Sequence, residues 1–344
     1  MSESYKSILW NRQKRIYDAV LWSFIALYFI LFITFNYNFF PAITVETVII
    51  RATGTLALLL LHIILSIGPL ARIDKRFLIL LYNRRHLGVS MFLIALVHGI
   101  FSLLQFHSLG NVNPFISLFT SNTHYGSFIN FPFQVLGFLA LLILMLMAAT
   151  SHDFWLKNLS PRIWKSLHMM VYVAYALLLM HVMLGVMQLE QNFNFLLLLL
   201  FGMCWLTGLH FFAGYAEIRK DAQTPSHSDG DYLFACHINE IPESRARIIS
   251  ANGERIAVFK YDGKLSAISN VCKHQMGPLG EGRIVDGCIT CPWHGYQYQP
   301  QDGCSPPPFK EKVATYDVKL VDGNVYVNPQ AHPEGTYVEP VIIT

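Results

Sequence analysis

The sequence predicts a multi-domain chain, a six-helix transmembrane bundle followed by a small antiparallel β domain. Three observations predict it. Of 344 residues, 53% are hydrophobic and 14% charged, whereas about a quarter of an ordinary soluble domain is charged. The apolar residues collect in the first two-thirds of the chain, in nearly uncharged runs of about twenty, the length that crosses a hydrocarbon core. The remainder has ordinary charge and glycine content, and its apolar residues alternate in short runs.

The expected spans are Ala19 to Phe35, Val48 to Leu70, Leu87 to Phe106, Phe133 to Ala149, Leu167 to Met187 and Phe195 to Ala213. Phe77 to Tyr82 is too brief to cross. Ser2 to Tyr17 is polar and basic without a small-residue cleavage site, so the first span is expected to be retained as an anchor. Lys and Arg cluster before span one (Lys6, Arg12, Lys14, Arg15), between two and three (Arg72, Lys75, Arg76, Arg84, Arg85), between four and five (Lys157, Arg162, Lys165) and after six (Arg219, Lys220). The loops Asn36 to Glu46, His107 to Pro132 and Gln188 to Asn194 carry none. The positive-inside rule then puts both termini in the cytoplasm of a plasma or inner membrane. The net charge of +3 is modest and sits at the membrane edges, which points to lipid headgroups and not to nucleic acid.

Residues 1–16 read as a cytoplasmic segment, 17–220 as the six-span domain, 221–231 as a linker rich in Ser, Pro, Asp and Gly, 232–329 as the β domain and 330–344 as a tail. The expected strands are Tyr232 to Cys236, Arg247 to Ser250, Arg255 to Lys260, Leu265 to Ile268, Val313 to Leu320 and Asn324 to Val327. Asn252-Gly253, Asp262-Gly263 and Asp322-Gly323 read as hairpin turns between them.

Cys272 to His294 reads C-x-H, sixteen residues, then C-x2-H. That is the ligand pattern of a Rieske centre, in which two thiolates hold one iron of a [2Fe-2S] cluster and two imidazoles hold the other. Cys272 and Cys291 are expected on one iron, His274 and His294 on the second. Two Cys and two His also close a zinc tetrahedron, but zinc sites space paired ligands by two to four residues and a one-residue gap is too short for that habit. Of the other cysteines, Cys204 falls in span six, where burial is expected, and Cys236, Cys288 and Cys304 show no spacing that demands a bridge. A reducing compartment follows.

The runs CKHQMGPLGEG and CPWHGYQYQPQDGCSPPP resemble the Rieske ferredoxins that feed ring-hydroxylating dioxygenases and nitrite reductases. They are less similar to the Rieske subunit of respiratory bc complexes, which has an extra disulfide at the positions of Gly277 and Trp293 and a serine at that of Tyr296. The resemblance implies a cluster potential toward the low end of the Rieske range.

Histidines inside spans are costly and mark candidate sites. His86 and His98 lie on span three, twelve residues apart, and His168 and His181 on span five, thirteen apart. Both spans point the same way, so His86 is expected level with His168 and His98 level with His181. At about 1.5 Å per residue the two levels are roughly 18–20 Å apart, over half of a core about 30 Å thick. His62, deep in span two, is the rival of His86 as the partner of His168. His107, His124, His152, His210, His227, His237 and His332 read as surface or structural residues, and Trp164 and Trp205 as belt or packing.

The pieces LSIGPLARI, RRHLG with ALVHG, and WKSLHMMVYVAYALLLMH, over about Val48 to Met187, resemble the ferric reductase-like transmembrane family. That family includes NADPH oxidases, ferric reductases and the heme-binding subunit of periplasmic methionine sulfoxide reductase. The resemblance implies heme b, two per chain, bound by histidine pairs and carrying electrons across the membrane. His98, His168 and His181 fall on motif positions, while His86 stands where relatives vary.

No glycine-rich dinucleotide fingerprint follows a strand and opens a helix. A cytosolic flavoprotein reductase or reduced ferredoxin is therefore the expected donor of single electrons. The expected function is a membrane oxidoreductase that passes them through the Rieske cluster to the hemes and to an acceptor across the membrane. Two alternatives stand beside it: a membrane-anchored Rieske ferredoxin that serves an oxygenase, and quinol-linked flow in reverse.

Overall fold

The apolar runs become helices because a backbone in hydrocarbon must satisfy its N–H and C=O groups within its own segment. The computed structural model describes residues 12–81, 84–151, 155, 159, 161–190, 193–222, 228–274, 276–293, 295–307 and 309–343. The helices are α1 (Arg12–Phe39), α2 (Val45–Ile73), α3 (Arg84–His107), α4 (Pro114–Thr120), α5 (Phe133–Ala149), α6 (Pro161–Met169), α7 (Val171–Gly185) and α8 (Phe193–Ala222). The segment too brief to cross contains a 3-10 turn, Lys75–Phe77, and one helical turn, Leu78–Leu81.

Among the described residues, five stretches are long and apolar enough to span a membrane: Arg15–Phe39, Val45–Ile73, Arg84–His107, Ile163–Gln188 and Phe195–Arg219. They make this an integral membrane protein. The fourth of the six expected spans, α5, is apolar but has 17 residues, about 25 Å against a core of about 30 Å.

The chain divides into two units, Met1–Leu70 with Asn83–Phe211, and Ala71–Tyr82 with Phe212–Thr344. Within the first, α5 lies along α7 and α3 packs on α4 and α5. The buried ring of His107, at the end of α3, bonds Ser117 Oγ and Gln134 Oε1, each at 3.0 Å, and so ties α3 to α4 and α5. Cys204 was expected to be buried but lies exposed on α8. Lipid takes an apolar side chain as readily as a helix interface does, so a span gives a thiol no strong preference for the inside.

The second unit holds the strands β1 (Ser228–Asp229), β2 (Tyr232–His237), β3 (Arg245–Ala251), β4 (Glu254–Tyr261), β5 (Lys264–Ser269), β6 (Arg283–Val285), β7 (Cys288–Thr290), β8 (Gln297–Tyr298), β9 (Thr315–Tyr316), β10 (Val318–Val321), β11 (Asn324–Val327) and β12 (Val341–Ile342). All pair antiparallel. One sheet runs β1, β2, β11, β10; a second runs β12, β5, β4, β3, with β9 also on β5; the third is β6, β7, β8. The three expected turns have both central residues at positive φ, as a two-residue type I′ hairpin requires, and Asp286-Gly287 adds a fourth between β6 and β7.

Strand alternation gives β4 two buried faces. Ile256 and Val258 join Leu265, Tyr316 and Val325 in one core, while Ala257 and Phe259 join Ile268, Leu279, Ile289 and Val313 in another that also contains Cys272 and Cys291. The cysteine loops thus rest on the far side of the central sheet.

Regular structure enters the expected linker from both ends, since α8 runs through Ala222 and β1 begins at Ser228. The expected tail is part of the fold. Val341 and Ile342 pair with Leu265 and Lys264, Val338 N–H donates to Gln301 O at 2.8 Å, and Ile343 N–H donates to Gly263 O at 2.8 Å. An open β5 edge would be a template for pairing with another chain, and the tail covers it. Deleting residues 338–344 is expected to cost about 2 kcal/mol, or roughly 10 °C in melting temperature for a domain of this size. Thermal loss of the visible absorbance of the full chain measures this, and an unchanged midpoint would contradict it.

Candidate metal centres

The two cysteine loops share one hydrogen-bond pattern. In the first, Cys272 N–H donates to Gly277 O at 2.9 Å and Met276 N–H to Cys272 O at 2.7 Å. In the second, Cys291 N–H donates to Tyr296 O at 2.8 Å and Gly295 N–H to Cys291 O at 2.9 Å. Each loop turns through a left-handed residue at its fifth position, Met276 at φ 58° and Gly295 at φ 72°. Glycine adopts this freely; for Met276 it costs about 1–2 kcal/mol. The result is two like-shaped loops, each with a buried cysteine at its start. The loops approach closely, for a Cβ on Gly277 would stand 2.9 Å from Cys291 Sγ and 3.1 Å from the Trp293 ring.

Tyrosines frame the loops. The Tyr298 hydroxyl accepts the Lys273 N–H at 3.0 Å, which leaves its own proton for Cys272 Sγ at 3.5 Å. The ring of Tyr296 stacks on that of His274, with centroids 4.8 Å apart and planes 10° apart, and its hydroxyl donates to the Glu311 carboxylate. Burial and then Glu311 push the Tyr296 phenol well above its usual range, and burial and then Cys272 do the same for Tyr298, so both remain protonated donors. His274 is partly exposed, and His294 lies outside the described residues. Among the described residues no three His, Cys, Asp or Glu side chains gather as around a single ion; a Rieske cluster asks two protein ligands of each iron.

In the helical unit the structure brings His98 and His181 together, with ring centroids 6.3 Å apart at 82°. Two imidazoles on opposite sides of one metal, each through a bond of about 2 Å, place their centroids about 6 Å apart. His98 Nδ1 donates to Ile50 O at 2.9 Å and His181 Nδ1 to Phe133 O at 2.8 Å, each to the carbonyl of a neighbouring helix. Such a bond fixes the tautomer that presents Nε2 as the ligating atom. One turn beyond each carbonyl stands a glycine, Gly54 or Gly137, whose added Cβ would meet the ring at 2.8 Å. Only a bare backbone lets either ring lie there.

The other histidines are placed differently. His168 stacks on Trp164 at 3.8 Å and 25°, with Nδ1 on Trp164 O at 3.0 Å and Nε2 3.4 Å from Ser151 Oγ. His86 Nδ1 lies 2.9 Å from a carboxylate oxygen of Asp18 on α1. His62 Nδ1 donates to Leu58 O at 2.9 Å, and its Nε2 accepts the Tyr175 hydroxyl at 3.1 Å. His210 has the same arrangement with Leu206 O and Tyr172. His237 begins a 3-10 turn and His332 bonds Asp317. His152 and His227 lie outside the described residues.

Residues 231–317 match the Rieske [2Fe-2S] domain, and residues 53–179 match the ferric reductase like transmembrane component. The 3-phenylpropionate/cinnamic acid dioxygenase ferredoxin subunit of Photorhabdus laumondii is 32% identical over 99 residues, which are 28% of this chain and 91% of that protein. The chain belongs to the Rieske [2Fe-2S] domain family. The anthranilate 1,2-dioxygenase ferredoxin subunit of Burkholderia cepacia is 35% identical over 26% of this chain and 85% of its own length. Among solved structures, the complex of reduced oxygenase and oxidized ferredoxin in carbazole 1,9a-dioxygenase is similar at 24% identity and a TM-score of 0.28, over 30% of this chain and 97% of that one. These relatives cover the Rieske domain alone. The chain therefore joins a Rieske domain, which supports a [2Fe-2S] cluster, to a ferric reductase-like membrane part, which is consistent with heme.

Sequence reasoning passed over Tyr298. Its hydroxyl is aimed at Cys272 Sγ, and hydrogen bonds to sulfur are among the factors that set the potential of Rieske centres. The signal was present as a tyrosine seven residues after Cys291. Only the structure shows that its ring is fully buried under the first loop.

Proposed function

We propose that the chain is a membrane oxidoreductase that carries single electrons from a cytosolic flavoprotein reductase or ferredoxin, by way of its Rieske centre and transmembrane b hemes, to an acceptor across the membrane. In this reading Cys272 and Cys291 hold one iron of the cluster and His274 and His294 the other, His98 and His181 hold the outer heme, and His168 holds the inner. The metal groups supply the one-electron chemistry. The protein's own work is positional. The carbonyls of Ile50 and Phe133 turn two imidazoles to face each other, Gly54 and Gly137 make room for them, and Tyr298 offers a proton to a thiolate. The helix α5 serves as the short fourth of six spans, with both termini in the cytosol. The observation that carries the reading is the facing pair of His98 and His181 in a chain that also has a Rieske domain.

Vesicles holding the chain with its Rieske domain outward test this. Dithionite added outside is expected to reduce ferricyanide trapped inside, with at least about a tenfold slower rate in His98→Ala, whose outer site has lost a metal ligand. Equal rates with and without the protein would contradict the reading.

A further inference from the structure

The helical unit contains two equivalent hairpins, α2 with α3 and α5 with α6 and α7. Gly54-Thr55-Leu56-Ala57-Leu58-Leu59-Leu60-Leu61 recurs as Gly137-Phe138-Leu139-Ala140-Leu141-Leu142-Ile143-Leu144, His98 as His181 and Gln105 as Gln188, each 83 positions later. The contacts recur at the same shift. His98 bonds Ile50 O beside Gly54, and His181 bonds Phe133 O beside Gly137. The outer site is thus two copies of one half-site.

The same shift applied at the inner level breaks the symmetry. The counterpart of His168 is Arg85, and that of Ser151 is Gly68. On the second hairpin the His168 ring reaches Ser151. On the first, Arg84 Nη1 lies 3.7 Å from where a Cβ on Gly68 would stand. The first hairpin therefore carries arginine, Arg85 in register and Arg84 beside Gly68, where the second carries an imidazole. His86, one residue past Arg85, is turned about 100° around α3, and its ring meets Asp18 of α1. The Nε2 of His62 is engaged by the Tyr175 hydroxyl.

A guanidinium stays protonated and has no lone pair to offer a metal. We infer that the inner site is a one-histidine site: a heme there is held by His168 alone, with arginine where the second ligand would stand and one axial face open to a small diatomic ligand. This rests on the heme reading proposed above, and it predicts a chemical difference between the outer and inner sites.

Carbon monoxide distinguishes them, because it binds a ferrous heme only where an axial position is open. The detergent-purified full chain, reduced with dithionite, is expected to bind one CO for every two hemes. His168→Ala should abolish the CO complex and leave the six-coordinate spectrum of the outer heme, whereas His86→Ala and His62→Leu should take up CO as the wild type does. Arg85→His, which restores the symmetry, should suppress CO uptake at least tenfold at unchanged heme content. Two hemes with no CO bound would overturn the inference and leave the proposed function standing; a chain without heme would overturn both.

Discussion

Replacing His98 or His181 by alanine is expected to remove one heme from the chain and to leave the spectrum of the Rieske cluster intact. The two rings face each other at 6.3 Å, each held by a single carbonyl. Loss of either leaves one imidazole and a hole where the other stood. Gly54→Val and Gly137→Val are expected to act through the same rings without touching a ligand, because a Cβ at 2.8 Å forces each imidazole away from its carbonyl. Loss of such an orienting contact typically costs about 10–100-fold in metal affinity. Heme content measured as the pyridine complex, beside the electron paramagnetic resonance signal of the cluster, reads both effects. Full heme in all four variants would show that these histidines only brace the helices.

Replacing Tyr298 by phenylalanine is expected to lower the midpoint potential of the cluster on the order of 50 mV, the equivalent of about 1 kcal/mol for one electron. The hydroxyl accepts from the Lys273 N–H, so its proton is directed at Cys272 Sγ, where it favours the reduced, more negative cluster. Tyr296→Phe is the control. Its hydroxyl goes to Glu311, away from the sulfurs, and the midpoint is expected to move little. A redox titration followed by electron paramagnetic resonance checks both, and equal shifts in the two variants would remove Tyr298 from its tuning role.

Helices and hairpins were legible because their signals are local. Runs such as Leu56 to Leu65 can only be buried or lie in lipid, and Asn252-Gly253 or Asp322-Gly323 dictate left-handed backbone wherever they occur. The sheet of β6, β7 and β8 escaped notice because its strands are two or three residues long, although Asp286-Gly287 marks its turn. The role of residues 338–343 was hidden for another reason. The pairing of Val341 and Ile342 with β5 joins positions 76 and 78 residues apart, and no local pattern encodes such a contact.

The histidines divide along the same line. Their depth follows from counting residues along helices, and His98 and His181 do meet. Direction around the helix was less legible. His86 sits one position from the counterpart of His168 and faces Asp18, a partner supplied by α1. The repeat between hairpins was also missed, since its strongest stretch is a run of leucine and alanine that any apolar helix could contain.

The ratio of heme and of cluster iron to protein in the detergent-purified chain tests the central claim most directly. Two b-type hemes with one [2Fe-2S] cluster per chain is the predicted result. A cluster without heme would contradict it and reduce the membrane helices to an anchor for a Rieske ferredoxin.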